Sequence, residues 1–159
     1  DTSSERYVFP IRSITGKCVN ARLHNSNKTP KSLYYQSGEA RLFPITSTMK
    51  SQIVICEGEW DCMVLHSLGI NAITSTGGAG TNKWSPAWND YFQGKFVKTI
   101  LDNDIAGEEM ENSINDNLHN LVKSIEIIKF PKSDKKVDVT EYLQKGGDMF
   151  SLLGYTKRR

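Results

Sequence analysis

From Gln52 onward, short apolar runs alternate with stretches of helical periodicity, and no other feature of this chain limits its fold as tightly. The order reads strand 53–56, helix 59–68, strand 71–74, helix 86–92, strand 96–101, helix 105–122, strand 125–130. Parallel strands need crossover helices, and those helices bury the sheet on both faces. The alternation therefore predicts an α/β fold with a mostly parallel central sheet flanked by helices. In the longest helix, Ile105, Met110, Ile114, Leu118, Leu121 and Val122 form a stripe toward the sheet. Glu108, Glu109, Glu111, Asn112 and Asp116 take the outer face.

The first fifty residues read differently. Strands over 7–11, 18–23 and 33–35 are separated by Thr15-Gly16 and by a turn-forming stretch at 25–30. This part is also cationic, with Arg6, Arg12, Lys17, Arg22, Lys28, Lys31, Arg41 and Lys50 against Glu5 and Glu39, although the whole chain carries only +2. Such an excess suits a solvated face or a groove that meets a phosphate backbone. With 159 residues and 38% hydrophobic content, the chain supports one good core and is not disordered. The expected organisation is a small basic β-rich subdomain over 1–50, an α/β core over 51–131, and an acidic element with a helical extension over 132–159.

Several function classes drop out. Cys18, Cys56 and Cys62 have no CxxC spacing, so no zinc site is expected in this fragment and the thiols read as buried and reduced. His24, His66 and His119 lack metal-ligand spacing as well. Trp84 and Trp88, four apart, read as core. No apolar run reaches the roughly 18 to 20 residues of a membrane helix. The first residues lack a secretory pattern and a starting Met, which reads as a piece of a longer cytoplasmic protein.

The chemistry lies where strands end, because ligands of open parallel sheets bind at the strands' carboxyl ends. Glu57 closes the first core strand, Gly58 is expected to make a sharp turn, and Asp61 follows in the first turn of the next helix. Asp102 and Asp104 close the strand over 96–101, and their spacing of two on extended chain points both carboxylates to one side. Asp104 also stands where a helix N-cap would, as does Asp138 before the last helix. Carboxylates packed together repel one another unless a cation neutralises them. Oxygen-only ligands favour Mg²⁺ or Mn²⁺, which suits a site handling nucleotides. Gly77 and Gly78 form a loop after the second core strand that is expected to line the site, since their pattern is no P-loop.

Glu57-Gly58-x-x-Asp61 after an apolar strand, the Gly77-Gly78 loop, and Asp102-x-Asp104-x-Ala106-Gly107 together resemble the TOPRIM domain shared by DnaG-type primases, topoisomerases and some nucleases. Within that superfamily the Asp-x-Asp-x-Ala-Gly run is most similar to bacterial, phage and plasmid DNA primases. The run from Lys136 to Leu143 resembles the acidic element that follows their TOPRIM core, with Thr140 where another acid often stands. Phe9-Pro10-Ile11-Arg12, Gly16-Lys17, Ala21-Arg22 and Thr29-Pro30-Lys31 resemble their basic amino-terminal subdomain.

The resemblance implies a metal-dependent nucleotidyltransferase that makes short RNA primers on single-stranded DNA from nucleoside triphosphates, working with a replicative helicase in the same protein or in trans. It implies Mg²⁺ or Mn²⁺, two or more ions, on Glu57, Asp102, Asp104 and Asp138, with Asp61 in catalytic support. Arg12, Arg22, Lys31 and Lys83 would hold template or nucleotide. A TOPRIM nuclease using the same carboxylates and a non-catalytic nucleic-acid-binding module stay open on sequence alone.

Overall fold

The computed structural model describes residues 5–25, 27–35, 39–78, 84–133 and 136–155. Two sheets organise them. The first is antiparallel, in the order β1 (Tyr7–Arg12), β2 (Cys18–His24), β3 (Ser32–Tyr34). The second runs β4 (Leu42–Phe43), β6 (Ala72–Ser75), β5 (Gln52–Cys56), β7 (Phe96–Ile100), β8 (Ser124–Ile128). Only β4, at its edge, is antiparallel; the four longer strands are parallel. Helix α1 (Glu59–Ser67) joins β5 to β6, and α2 (Ile105–Leu118) joins β7 to β8. Two short helices, α3 (Val139–Gln144) and α4 (Met149–Leu152), follow.

The strand period of two divides the apolar residues between two layers. Val54, Cys56, Ala72, Ile100 and Ile128 pack with Cys62 and Leu65 of α1 and with Val139, Met149 and Leu153. Ile53, Ile55, Ile73 and Val97 pack with Met110, Ile114 and Leu118 of α2 and with Trp84, Trp88 and Phe92. The central strands are thus buried on both faces, which is why they read as continuous apolar runs. Phe9 and Ile11 of β1 join the first layer, so the basic antiparallel sheet shares a core with the parallel one.

Several sequence expectations are corrected. Residues 86–92 form a 3-10 helix started by Pro86, not an α-helix; within it Trp88 and Phe92 pack on Trp84, with ring centroids 5.4 and 5.1 Å away. Helix α2 stops at Leu118, where the chain turns into β8 through backbone bonds from Leu121 and Val122 to the Leu118 carbonyl. Ile105 does not join the apolar stripe; as the first residue after the N-cap it is 78% exposed. Glu111 is buried instead of solvated, because Lys129 Nζ reaches its Oε1 at 2.6 Å. Cys56 and Cys62 are buried free thiols, but Cys18, at the start of β2, is exposed. The two-residue β4 and four-residue α4 span about one period each, too little for a pattern to repeat. Among the described residues no helix is long and apolar enough to cross a membrane.

Candidate active site

The chain leaves β5 toward β6 on one side, then returns past it to β7 on the other. Adjacent strands whose connections depart in opposite directions leave a crevice at their carboxyl ends. Glu57 follows β5 into that crevice, and Asp102 and Asp104 follow β7. Gly107 permits the crowding: a Cβ there would lie 2.3 Å from the Asp102 carbonyl oxygen, so only glycine lets α2 start this close to β7. Gly58 is different from expectation. It caps α1 with φ −130°, ψ 163°, an extended conformation open to any residue, so the turn itself does not require glycine.

The three carboxylates converge on one ammonium. Lys136 Nζ lies 2.7 Å from Asp102 Oδ2, 2.6 Å from Asp104 Oδ2 and 3.8 Å from Glu57 Oε1. The spacing of two does bring Asp102 and Asp104 to one point. Glu57 Oε2 also accepts the Asp102 N–H at 3.3 Å. Asp104 is the α2 N-cap read from sequence, its Oδ1 accepting the Gly107 N–H at 2.9 Å, while its Oδ2 holds the lysine. The segment carrying Lys136 is pinned by the Val137 N–H, which donates to Asn103 Oδ1 at 2.7 Å. Asp138 caps α3 by accepting the Glu141 N–H at 2.7 Å.

Glu57, Asp102, Lys136 and Asp138 line a cleft of about 1100 Å³, and Asp104 reaches it only through Lys136. One wall carries Glu57, Asp61, Asp102 and Asp138; the other carries Arg6, His24, Asn25 and Lys31 from the antiparallel sheet and its loops. Trp60 closes one side, its ring stacked on His24 at 6.0 Å and 18°. Thr140 also lines the cleft, and its buried Oγ1 has no partner among the described residues.

Burial sets the protonation of the acids. It pushes the Glu57 carboxyl up to about 7, assisted by the charge of Asp102 and opposed by Lys136. Asp61, nearly enclosed, is likewise raised to about 7, by burial first and then by Asp138, Asp102 and Glu57. Asp102 is raised by burial, whereas Asp104 is lowered by its hydrogen bonds to Lys136 and Gly107. The Lys136 ammonium is raised; burial opposes this, but the bonds to Asp102 and Asp104 outweigh it.

The donor set fits a hard divalent cation. Three carboxylates converge on one cation, and burial with like charge raises both Glu57 and Asp102, a penalty that a bound divalent ion would offset. With the side chains as they stand, no group of three or more His, Cys, Asp or Glu among the described residues closes on a metal-sized point; the ammonium of Lys136 stands between the acids. Asp61 and Asp138 face the same cleft but do not touch that ammonium.

The basic residues scatter more than the acids. Lys31 lines the acidic cleft. Arg22 is committed: its Nε lies 2.9 Å from Glu59 Oε1, and its guanidinium stacks on Tyr34 at 4.3 Å. Arg12 points elsewhere, donating to the Gly16 carbonyl at 2.9 Å and lining a separate, mostly apolar cleft of about 680 Å³ with Phe9, Phe43, Trp60 and Met63. Gly77 and Gly78 sit after β6, with Gly78 at φ 77°, and are not among the residues lining the acidic cleft. The neighbouring Thr76 carbonyl accepts the Tyr34 hydroxyl at 2.6 Å, which ties this loop to the antiparallel sheet. Lys83 lies outside the described residues. Sequence reasoning assigned no role to Lys136, Asn103, Trp60 or His24. Only Lys136 carried a signal, a cation two residues before an acid of the motif.

Comparison with known proteins follows the same lines. Residues 54–143 match the Toprim-like family. The chain is similar to a DNA primase of Clostridium acetobutylicum, 29% identical over 160 residues that cover 92% of this chain and 26% of that protein. Its fold is similar to the zinc-binding and RNA polymerase domains of the Aquifex aeolicus primase, with TM-score 0.73 and 21% identity, covering 97% of this chain and 41% of that one. It is also similar to a DnaG primase catalytic domain bound to single-stranded DNA, with TM-score 0.69 and 21% identity, covering 91% and 50%. The chain thus spans about a quarter of the curated relative and half or less of these two structures. With the family match extending over more than half its length, from the middle of β5 to α3, this chain belongs to the Toprim-like family and has the fold of DnaG-type primase catalytic cores.

Proposed function

We propose that this chain is the catalytic segment of a DnaG-type DNA primase, making short RNA primers on single-stranded DNA from nucleoside triphosphates. The observation that carries the reading is the convergence of Glu57, Asp102 and Asp104 at the sheet's switch point, across one cleft from a basic wall. Glu57, Asp102 and Asp104 would hold Mg²⁺ or Mn²⁺, two or more ions, with Asp138 as a further ligand and Asp61 in support. What the bound ions supply is a lower pKa for the attacking 3′-hydroxyl and neutralisation of charge on the leaving pyrophosphate.

The chain's own residues do the rest. Asp104 fixes the start of α2 through Gly107, which leaves its second oxygen on Lys136 beside Asp102. Lys31 from the opposite wall meets phosphate oxygens by charge-assisted hydrogen bonds that are blind to sequence. Arg22 acts by position: locked to Glu59, it sets the antiparallel sheet against the start of α1. Arg12, outside the acidic cleft, and Lys83 would meet template farther along, and the Gly77-Gly78 loop would border its path. Residues 1–50 would then serve as the template-gripping subdomain, 51–131 as the catalytic core and 132–159 as the element closing its acidic side. The parent protein would act in the cytoplasm of a bacterium, or be phage- or plasmid-encoded there, beside a replicative helicase fused or in trans.

The test is a denaturing gel with Mn²⁺ in two sets of lanes, labelled ribonucleotides with unlabelled single-stranded DNA and unlabelled ribonucleotides with labelled single-stranded DNA, each beside Asp104→Asn. Asparagine can still cap α2, so this variant should fold and melt normally. New short oligomers that vanish in the variant carry the reading; labelled template shortened in an Asp104-dependent way would replace it with a nuclease.

A further inference from the structure

We propose that Lys136 is a built-in competitor for the divalent cation: its ammonium fills the carboxylate cluster in the metal-free state and is displaced by side-chain rotation when metal binds. This rests on reading Glu57, Asp102 and Asp104 as the metal ligands. Lys136 Nζ takes the same oxygens, at 2.6 and 2.7 Å, that a cation of magnesium's size would take at about 2.1 Å. The two cations cannot occupy that point together. An ammonium brings one positive charge to these acids and a divalent ion brings two, so the exchange runs toward metal once metal is present.

The local structure suits an exchange of side chains over a fixed backbone. Val137 is bonded to Asn103, the residue between the two aspartates, and Asp138 caps α3 directly after. The peptide carrying Lys136 is therefore held at the acids from the next residue on. Its side chain, by contrast, is 53% exposed and lines the open cleft, so the ammonium can swing to solvent while the loop stays. A compact ammonium on four rotatable carbons suits this better than the forked guanidinium of arginine. Lys136 is on this account a positioning residue: it keeps the acids from repelling one another without metal, and it weakens metal affinity by the fraction of time it occupies them.

That fraction sets the expected size. If the ammonium is inserted about nine-tenths of the time, the apparent Kd for metal is about ten times the intrinsic value. The probe is Mn²⁺ alone, titrated into the protein at low salt, with free ion read by electron paramagnetic resonance. Lys136→Met should bind Mn²⁺ about tenfold tighter than wild type; Lys136→Arg, which keeps a competing charge, should bind it no tighter than wild type. Equal or weaker binding by a folded Lys136→Met protein overturns the proposal. A second measurement uses wild type only: reductive methylation of Lys136, followed by peptide mass spectrometry, should speed up several-fold when Mg²⁺ saturates the site. Unchanged or slower labelling overturns the proposal as well, even if Lys136→Met fails to fold. Neither readout involves primer synthesis. Exchange without primers would sink the primase reading alone, and primers without exchange would sink this one alone.

Discussion

Gly107→Ala should destabilise this protein, although alanine is the better helix former. In an exposed helix interior that replacement stabilises by about 1 kcal/mol. Here the new methyl would sit 2.3 Å from the Asp102 carbonyl oxygen and 3.2 Å from its carbon, where real Cβ atoms essentially never come under 3.0 Å. Neither side can step away cheaply. The Asp102 N–H is bonded to Glu57 Oε2, and the Gly107 N–H is bonded to Asp104 Oδ1. Relief has to come from moving the first turn of α2 off the end of β7. Overpacking of this severity belongs at the upper end of the usual ~1–3 kcal/mol. With the propensity gain set against it, the net loss is about 2 kcal/mol, a melting temperature lower by about 4–8 °C for a chain of this size. Urea denaturation and thermal melting should show it, beside Asn112→Ala on the exposed face of the same helix as a control for propensity. Mn²⁺ binding should weaken in parallel, because the shift carries Asp104 away from Asp102. A Gly107→Ala protein as stable as wild type, or more so, would refute the close approach of α2 to β7.

Further outcomes follow from the charges. Asp61 holds its proton more tightly folded than unfolded, so its contribution is fully present below about pH 4 and is lost as pH rises through about 7. Asp61→Asn should therefore stabilise the metal-free protein, by about 2 kcal/mol more at pH 8 than at pH 5.5; scanning calorimetry in chelator giving the same gain at both pH values would count against it. Arg22 and Glu59 form an ion pair with side chains 14% and 12% exposed, and Arg22→Ala strands the glutamate. The expected cost is about 3 kcal/mol, with more than 1 kcal/mol recovered when Glu59→Gln is added. Strict additivity in that double-mutant cycle would mean that the pair is not coupled.

The parts of this molecule legible in sequence are those governed by local period. The parallel strands read as apolar runs because both faces are covered, and β7 differs from the sequence expectation by a single residue. The end of α2 was less legible: Leu121 and Val122 continue the helical spacing, but the chain must turn there to enter β8. Ile105 and Glu111 were misassigned for a related reason. Position on a helical wheel ignores that Ile105 opens the helix beside a cleft and that Lys129, eighteen residues on, supplies a charge for Glu111.

The sequence by itself determined the alternation that builds a doubly covered parallel sheet, the basic character of the first fifty residues, and the acids at strand ends. Each is a property of neighbours along the chain, and strand and helix periods act over a few residues. The tertiary structure alone decided which cation meets which acid. Lys136 reaches Asp104 across 32 residues and Arg22 reaches Glu59 across 37, while Arg12 turns into the neighbouring apolar cleft, which shares Tyr7 and Trp60 with the acidic one. Such pairings depend on strand order: β7 lies beside β5 because the chain crosses back past it from β6, and spacing along the sequence carries no record of that crossing.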